Sequence, residues 1–437
     1  MRHLSFLTVV VSIVAGAATV AGQQWSPRPG TDRIDKQILG VPTVGAPSGV
    51  DAFFDDNLLQ EVRFDISTKD WDTLKTNYLS NEYYPCDFTW NGQKVRNVGI
   101  RSRGTGSRSG IKPGLRVDFD HFSTDQKFLG LKSFVLRNNT QDSSNMHERL
   151  SMLLYRRLGV PASREAHTRV YVNGAYAGLY TIVESVDKNF LKLTYGEDAG
   201  YLYKYDYPVD GTPYLFQDKG SDPALYVPLP FKPETHETDP RPEFIVQWVQ
   251  AVNQSSSATF RSAVGEYIDF RSLIRHVAVE QFVADYDGFL GDYGMNNFYT
   301  YRADPGKMFK LIPWDKSQAF LGGLTYSIFH NLDVPSGQRN RLMDRVLSDP
   351  DLNSLYLDTL LEIAQSVADT SGSTDGRGWL QREIEREYDQ VRDAALSDPD
   401  KPYSNAQFEQ AVNDLRAFAQ QRSGIVTQQV NQARGVK

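Results

Sequence analysis

Carboxylate and amide side chains are concentrated in residues 285–320, which are predicted to be turn-rich loops between apolar segments. Asp287 follows a predicted helix, Asn297 stands at the start of a predicted strand, and Asp315 stands at the end of the next strand. Carboxylate and amide oxygens are the ligands that hard divalent cations prefer. A carboxylate beside a hydroxyl can also orient it or accept its proton. The pattern therefore indicates a site for divalent metal and phosphate.

A basic, glycine-rich loop is the second chemical feature, with the sequence RSRGTGSRSGIKPG at residues 101–114. Small residues expose backbone N–H groups, and such loops can cradle a phosphate. The loop matches neither GxxxxGK[ST] nor GxGxxG, so a solvated loop without a ligand remains the alternative interpretation. Its basic residues are Arg101, Arg103, Arg108 and Lys112.

Other chemistries fit the sequence less well. The seven histidines form no HExxH motif, a single cysteine excludes a thiolate zinc site, and no GxSxG motif is present. Two-carboxylate sugar hydrolysis could use Asp287 and Asp315, but it leaves Asn297 and the basic loop without a role. Magnesium-dependent phosphoryl transfer uses the acids, the amide and the basic loop together.

The elements that must position these residues follow the order of a two-lobed kinase, although the HRD, DFG and GxGxxG signatures are absent. We predict an α+β fold, bilobal and protein-kinase-like, with a β-rich N-lobe and a mainly helical C-lobe. The N-lobe is expected at about 51–205, an irregular insertion at about 206–240, and the C-lobe at about 241–437. The predicted elements are strands at 59–66, 115–119 and 128–139, hairpins turning at Asn91-Gly92 and Asn173-Gly174, and helices at 146–158, 242–252, 270–282, 379–395 and 408–430.

Several positions in these elements are interpreted as structural. Glu148 and Arg149 lie in the first turns of the helix predicted at 146–158, and we interpret both as solvated charges, with a site role as the alternative. Cys86 is interpreted as a buried small hydrophobe. The two long C-terminal helices are predicted to be peripheral supports. Asp269 is predicted to cap the helix that begins at Phe270.

The first residues predict export from the cell. Residues 1–22 have the basic start, apolar run and small residues of a secretory signal peptide, and residues 23–50 are predicted to be a flexible leader. No later run is long and apolar enough for a transmembrane anchor, and the net charge of −7 argues against a nucleic-acid partner. We expect a secreted or extracellular protein. The sequons at Asn138 and Asn253 fit a glycoprotein.

Five segments resemble the CotH kinase family, a group of atypical secretory-route kinases that includes fungal surface proteins described as invasins. They lie within residues 99–320, about half of the chain, and their order matches as well as their content. The segments are IRSRGTGSRSGIKPGLRVDF, LGVPASREAHTRVYVNGAYAGLYTIVESVDKNFL, YLYKYD, DYDGFLGDYGMNNFYTYR and FKLIPWDKSQAF.

The resemblance implies roles for the acid and amide residues. Asp287 is implied to be the catalytic acid that orients or deprotonates the acceptor hydroxyl, and Asn297 and Asp315 are implied to hold the metal. Two neighbouring acids are alternatives for the catalytic role. Asp292 precedes Asn297 by five residues, which is the spacing of the protein-kinase catalytic loop, and Asp285 is the third contender.

The resemblance also implies a nucleotide-binding half. Lys112 is implied to engage the nucleotide phosphates, and Arg103 with the Gly104–Gly110 loop to cover them. Glu184 would lie where the hinge between the lobes meets the adenine. Lys204 in YLYKYD is implied to lie near the site.

The resemblance implies a secreted protein kinase. It would use ATP and Mg²⁺, with Mn²⁺ as an alternative metal, to phosphorylate Ser or Thr of proteins in the secretory route or outside the cell. The alternative is an adhesin- or invasin-like binding protein on the same fold, associated with the cell surface or wall. The acceptor protein, the preferred metal and the oligomeric state do not follow from the sequence.

Overall fold

A closed barrel of seven strands forms the first half of the molecule, whose computed structural model describes residues 49–208 and 211–435. The strand order is β1-β2-β3-β4-β5-β7-β6, and the parallel pairing of β1 with β6 closes the barrel. Alternating buried and exposed side chains along β1 give the sheet one inward face. The strands are β1 (Gln60–Ile66), β2 (Tyr84–Trp90), β3 (Gln93–Ser102), β4 (Leu115–Asp118), β5 (Ser133–Arg137), β6 (Glu165–Val172) and β7 (Ala175–Glu184).

Two Asn-Gly turns set the register of this barrel. Asn91-Gly92 joins β2 to β3, and Asn173-Gly174 joins β6 to β7. All four residues have positive φ, the conformation that lets a two-residue turn follow the twist of its strands. Both predicted hairpins are therefore confirmed.

The barrel interior is filled by aromatic rings around Phe53, which ends the short helix α1 (Val50–Phe53). The ring of Phe53 meets those of Trp90, Phe128 and Phe134 edge to face, at centroid distances of 5.4, 5.4 and 5.1 Å. Edge-to-face packing is the favoured geometry for buried aromatic pairs. Cys86 lies in the same core and is buried, as the sequence predicted.

A second, four-stranded antiparallel sheet has the order β11-β10-β8-β9. Its strands are β8 (Tyr201–Tyr205), β9 (Phe231–Pro233), β10 (Phe298–Arg302) and β11 (Phe309–Pro313). Strand β9 comes from residues 206–240, which the sequence predicted to be irregular. This segment also contains a 3₁₀ turn at Pro223–Leu225. The insertion therefore contributes an edge strand to the sheet.

Helices make up most of the second half of the chain. Asp269 caps α7 by accepting a hydrogen bond from the Arg271 backbone N–H, as predicted. Among the residues that the structure describes, no helix is long and apolar enough to span a membrane. The helices are α2 (Thr68–Thr76), α3 (His147–Arg157), α4 (Lys188–Tyr195), α5 (Glu243–Gln254), α6 (Phe260–Gly265), α7 (Phe270–Phe282), α8 (Arg341–Ser348), α9 (Pro350–Ala368), α10 (Trp379–Leu396) and α11 (Asn405–Ala433).

The two long C-terminal helices are part of the core, so their predicted peripheral role is wrong. Arg422 of α11 is fully buried. Its guanidinium donates to four backbone carbonyls at the end of α7 and in the segment after residue 320. A buried guanidinium needs several acceptors to offset the loss of water. This helix therefore holds in place the segments on both sides of residues 285–320.

Glu148 and Arg149 are buried as well, which corrects their interpretation as solvated charges. They are 6% and 1% exposed. Arg149 pairs with Glu387 of α10, and the same carboxylate contacts His167 Nε2 at 3.0 Å. The charges on α3 were misjudged because amphipathic spacing alone does not show that a second helix covers the polar face.

The predicted α+β class is confirmed, and the strands of the first half form a closed barrel. The described residues belong to one compact unit. The division into lobes at 51–205 and 241–437 stays a prediction. The signal peptide at 1–22 lies outside the described residues, as does the leader at 23–50 except for its last two positions.

Candidate active site

The ends of β10 and β11 bring Asn297 and Asp315 side by side. Phe298 pairs with Pro313 at these ends, and the Trp314 N–H donates to the Asn297 carbonyl at 3.0 Å. Asn297 immediately precedes β10 and Asp315 comes after β11, and their φ values are +56° and +48°. Non-glycine residues rarely adopt this left-handed backbone, and it is over-represented at functional sites.

The Asp287 carboxylate is held by two neighbouring amides. Asn297 Nδ2 donates to Asp287 Oδ2 at 2.9 Å and to the Asp287 carbonyl at 2.9 Å, while Asn296 Nδ2 donates to Oδ1 at 3.0 Å. Because both contacts use the nitrogen of Asn297, its amide oxygen is turned away from Asp287. The structure therefore brings together Asp287, Asn297 and Asp315, three of the site residues that the sequence singled out.

Burial raises the pKa of Asp287 above its ordinary value, and the negative charge of Asp315 adds to this effect. Hydrogen bonds from Asn296 and Tyr207 act in the opposite direction. The Tyr207 hydroxyl donates to Asp287 Oδ1 at 3.1 Å. Sequence reasoning missed Tyr207, which follows the YLYKYD segment that carries Lys204.

Asp285 lies beneath this site rather than in it. Its carboxylate is fully buried and contacts Lys316 Nζ at 3.0 Å, and Lys316 also contacts Glu280 at 2.6 Å. Burial raises the pKa of Asp285 to about 6, against the opposing charge of Lys316. One Asp285 oxygen accepts the Asp287 N–H at 3.0 Å, so this network supports the loop that presents Asp287.

The carboxylate of Asp292 contacts His330 and Asn331 instead of Asn296 and Asn297. It is 44% exposed and lies 2.5 Å from His330 Nε2 and 3.0 Å from Asn331 Nδ2. Although the spacing from Asp292 to Asn297 matches the kinase catalytic loop, the acid in contact with Asn297 is Asp287.

Arg137 connects the barrel to Asp315. It ends β5, and its Nη1 lies 2.5 Å from Asp315 Oδ2 while its Nε lies 2.9 Å from Glu148 Oε2 on α3. Burial alone would raise the pKa of Asp315, but the guanidinium charges of Arg137 and Arg103 hold it below its ordinary value. Sequence reasoning missed Arg137. The available signal was its position at the end of a buried strand, just before the helix that carries Glu148.

Arg103 lies beside this ion pair. Its guanidinium stands over the Trp314 ring at 5.8 Å, and that of Arg137 stands over the same ring at 4.9 Å. Burial and the charge of Arg137 lower the pKa of Arg103 to about 10. It remains charged at neutral pH. Two neighbouring guanidiniums form a site that favours an anion such as phosphate.

Lys112 is not part of this group. Its side chain is 1% exposed, and Nζ contacts Asp398 Oδ2 at 2.7 Å and the Leu179 carbonyl at 2.8 Å. The ammonium of Lys112 therefore binds the segment between α10 and α11, which contains Asp398. The role of Lys112 as a phosphate ligand stays a prediction from the resemblance, and the position beside Asp315 is occupied by Arg137.

The basic loop is held by its own side chains. Arg108 donates to the Gly104 carbonyl at 2.8 Å and to the carbonyls of Tyr78 and Ser80, both at 3.0 Å. Arg101 donates to Asn81 Oδ1 at 3.0 Å. These charges order the loop against the segment after α2, which leaves Arg103 as the loop guanidinium nearest to Asp315.

Glu184 and Lys204 each have a partner of opposite charge. Glu184 is 4% exposed and accepts from Arg164 Nη2 at 2.6 Å and Nε at 3.0 Å. Lys204 lies opposite Tyr299 in the pairing of β8 with β10 and forms an ion pair with Asp206. The side chain of Glu184 therefore faces Arg164, at the end of β7 where the sequence predicted a hinge.

Both sequon amides are used inside the fold. Asn138 is 3% exposed and donates to the Ser107 and Lys112 carbonyls, both at 2.8 Å. Asn253 donates to the Phe216 carbonyl at 2.9 Å and to the Val249 carbonyl at 2.8 Å. Asn138 is therefore hidden from a glycan in the folded protein, whereas Asn253 is half-buried.

The donor set suits magnesium. Within residues 49–208 and 211–435, no three His, Cys, Asp or Glu side chains gather as a metal cluster. The candidate ligands are instead the Asn297 amide oxygen and the carboxylate of Asp315, with Asp287 adjacent. Mg²⁺ is commonly bound by one or two protein oxygens and completes its shell with water and substrate phosphates.

Comparison with known proteins gives two matches. Residues 100–426, well over half of the chain, match the model of a family described as CotH kinase protein. The inner spore coat protein H of Bacillus subtilis (strain 168) is 24% identical over 358 residues, which is 82% of this chain and 94% of the relative.

Proposed function

Because the chain belongs to the CotH kinase family, we propose that it is a secreted, magnesium-dependent phosphotransferase that moves the γ-phosphate of ATP to Ser or Thr of exported proteins. One observation carries the proposal. The Asp287–Asn297 pair lies beside the Asp315–Arg137–Glu148 chain of ion pairs, so the groups proposed as base, metal ligands and phosphate-binding cations lie at one place. Phosphoryl transfer depends on positioning and charge stabilisation by these groups.

Asp287 is the proposed base. Its raised pKa brings it closer to neutral pH, where proton acceptance from a hydroxyl is more effective. Asn297 and Asp315 are the proposed ligands of Mg²⁺, which when bound would neutralise charge on the transferred phosphate. Asn296 and Asn297 orient the carboxylate of Asp287 through their N–H groups.

Arg137 and Arg103 are the proposed phosphate ligands. Arg137 ends a strand and pairs with Glu148 on the next helix, which is the arrangement of the strand lysine and helix glutamate in protein kinases. Arg103 has no hydrogen bond or ion pair through its guanidinium to any of the described residues. Its donors are therefore available to phosphate oxygens. In this proposal Arg137 takes the role that the resemblance implied for Lys112.

The adenine is proposed to lie near the junction of the barrel and the second sheet, whose apolar side chains form one buried cluster. This cluster contains Val135 and Val183 of the barrel and Leu202 and Ile312 of the sheet. Since the side chain of Glu184 is occupied by Arg164, contacts to the adenine edge would come from the backbone after β7. The barrel and the helical half would then act as the two lobes of a kinase around the nucleotide.

The acceptor is proposed to be an exported protein. Residues 1–22 carry the pattern of a secretory signal, and the Bacillus relative is named as a spore coat protein. That name also supports a second candidate, an adhesin-like or structural binding protein on the same fold. The two candidates differ in whether nucleotide and metal are used.

Transfer from labelled ATP tests the proposal. The purified protein is incubated with [γ-³²P]ATP, Mg²⁺ or Mn²⁺ and a generic Ser/Thr acceptor such as casein, as wild type and as Asp287→Asn and Asp315→Asn. We expect each variant to lower incorporation by about 100-fold or more. Asp292→Asn is the matched control, because Asp292 lies on the same loop but contacts His330.

Undiminished transfer by both Asp287→Asn and Asp315→Asn would contradict the site. Absence of both transfer and a nucleotide-dependent melting shift in the wild type would favour the binding protein instead.

A further inference from the structure

Tyr207 presents a hydroxyl to the carboxylate that the proposed function uses as its base. Its Oη donates to Asp287 Oδ1 at 3.1 Å. Asn296 and Asn297 contact the same carboxylate, but an amide N–H only orients it. A hydroxyl can in addition give up its proton and attack an electrophile. Tyr207 therefore stands where an acceptor hydroxyl would meet the base.

The position of Tyr207 follows from the register of the second sheet. Lys204 of β8 lies opposite Tyr299 of β10 in an antiparallel pairing. Continuing this register beyond the strand ends brings Tyr207 level with Asn296, whose amide contacts the same Asp287 oxygen. The approach of Tyr207 to Asp287 is thus set by strand pairing.

Packing holds the chain on this course. The Tyr205 ring stacks on Phe298 at a centroid distance of 5.1 Å, directly after Asn297. The Asp206 N–H donates to the Pro230 carbonyl at 2.8 Å. Burial and the charge of Asp287 raise the pKa of Tyr207, so its hydroxyl keeps its proton in the resting site.

We propose that Tyr207 is an internal acceptor, phosphorylated by the protein's own active site. This inference rests on the proposed function and adds an acceptor to it. The Tyr207 O–H bond breaks and its proton passes to Asp287. The phenolic oxygen forms a bond to the γ-phosphorus of ATP, the bond from that phosphorus to the β,γ-bridging oxygen breaks, and ADP leaves. Arg103 and Arg137 hold the phosphate that is transferred.

Phosphopeptide mapping of the full chain after incubation with [γ-³²P]ATP and Mg²⁺ or Mn²⁺ tests the inference. We expect phosphate on Tyr207, formed with a rate constant that does not depend on protein concentration because the step is intramolecular. Tyr207→Phe should lose this phosphopeptide, and Asp287→Asn should lower its formation by about 100-fold or more. Tyr286→Phe is the matched control, because the Tyr286 hydroxyl donates to Gln318 at 2.6 Å and not to Asp287.

Casein in a parallel reaction separates this inference from the proposed function. Transfer to casein with no phosphate on Tyr207 overturns the inference and leaves the proposed function standing. Phosphate on Tyr207 that persists in Asp287→Asn also overturns it, since another kinase must then be the source. Absence of transfer to either acceptor overturns the inference together with the proposed function.

Discussion

Replacing Lys112 distinguishes a structural ion pair from a phosphate ligand. Lys112 and Asp398 are both 1% exposed and lie 2.7 Å apart. Both side chains also form hydrogen bonds with the backbone of Leu179. Its carbonyl accepts from Lys112 at 2.8 Å, and its N–H donates to Asp398 at 2.9 Å. The pair therefore ties the basic loop and β7 to the turn between α10 and α11.

Removing one partner leaves the other charge buried. Lys112→Met should lower the free energy of unfolding by about 3–5 kcal/mol, the usual cost of breaking a buried pair from one side. Asp398→Asn should lower it as well, because the ammonium of Lys112 keeps only the Leu179 carbonyl. In the double variant both charges are gone, so its loss should be smaller than the sum by on the order of 2 kcal/mol.

Chemical denaturation of the four proteins at fixed pH and salt gives this coupling energy. Nucleotide binding is measured on the same folded samples, with Arg103→Met as the matched comparison. We expect Lys112→Met to unfold more easily yet bind ATP with near wild-type affinity. Arg103→Met should weaken ATP binding and change stability little, because its guanidinium makes no ion pair to the described residues. Wild-type stability with lost ATP binding in Lys112→Met would refute the structural role.

Three further predictions concern buried groups. Arg422→Met removes the donor to four backbone carbonyls; unfolding should become easier by on the order of 4 kcal/mol or more, and a change below about 1 kcal/mol would contradict its core role. Burial raises the pKa of Asp187, the cap of α4, to about 6 from its ordinary 3.8. The contribution of Asp187 to stability is therefore complete below pH 3.8 and is lost as pH rises through 6. Asp187→Asn should be more stable than wild type at neutral pH but not in acid. Denaturation curves of the two proteins that do not diverge across this pH range would contradict the prediction. Burial raises the pKa of Cys86 to about 12, so iodoacetamide at pH 8 should label it only in denaturant; rapid labelling of the native protein would contradict its burial.

Local features could be predicted from the sequence because they depend on neighbouring residues. The Asn-Gly turns, the Asp269 cap and the loop that joins Asp287 to Asn297 involve partners at most ten residues apart. Turn geometry and capping are set by the conformational preferences and hydrogen bonding of a few consecutive residues. The α+β class followed from the same local patterns.

The partners of charged residues were decided by the tertiary structure. Arg137 meets Asp315 across 178 positions of the chain, and Lys112 meets Asp398 across 286. The position of Arg137 at the end of a buried strand did not identify its partner, and the resemblance implied that Lys112 binds the phosphates. A charge in a loop or on a helix shows neither whether another element will cover it nor which opposite charge that element brings. A buried charge must be paired, so the packing of the elements decided that Arg137 pairs with Asp315 and that Lys112 is buried against Asp398. Residues 285–320 could be recognised from the sequence itself, because their acids and amides lie close together in the chain.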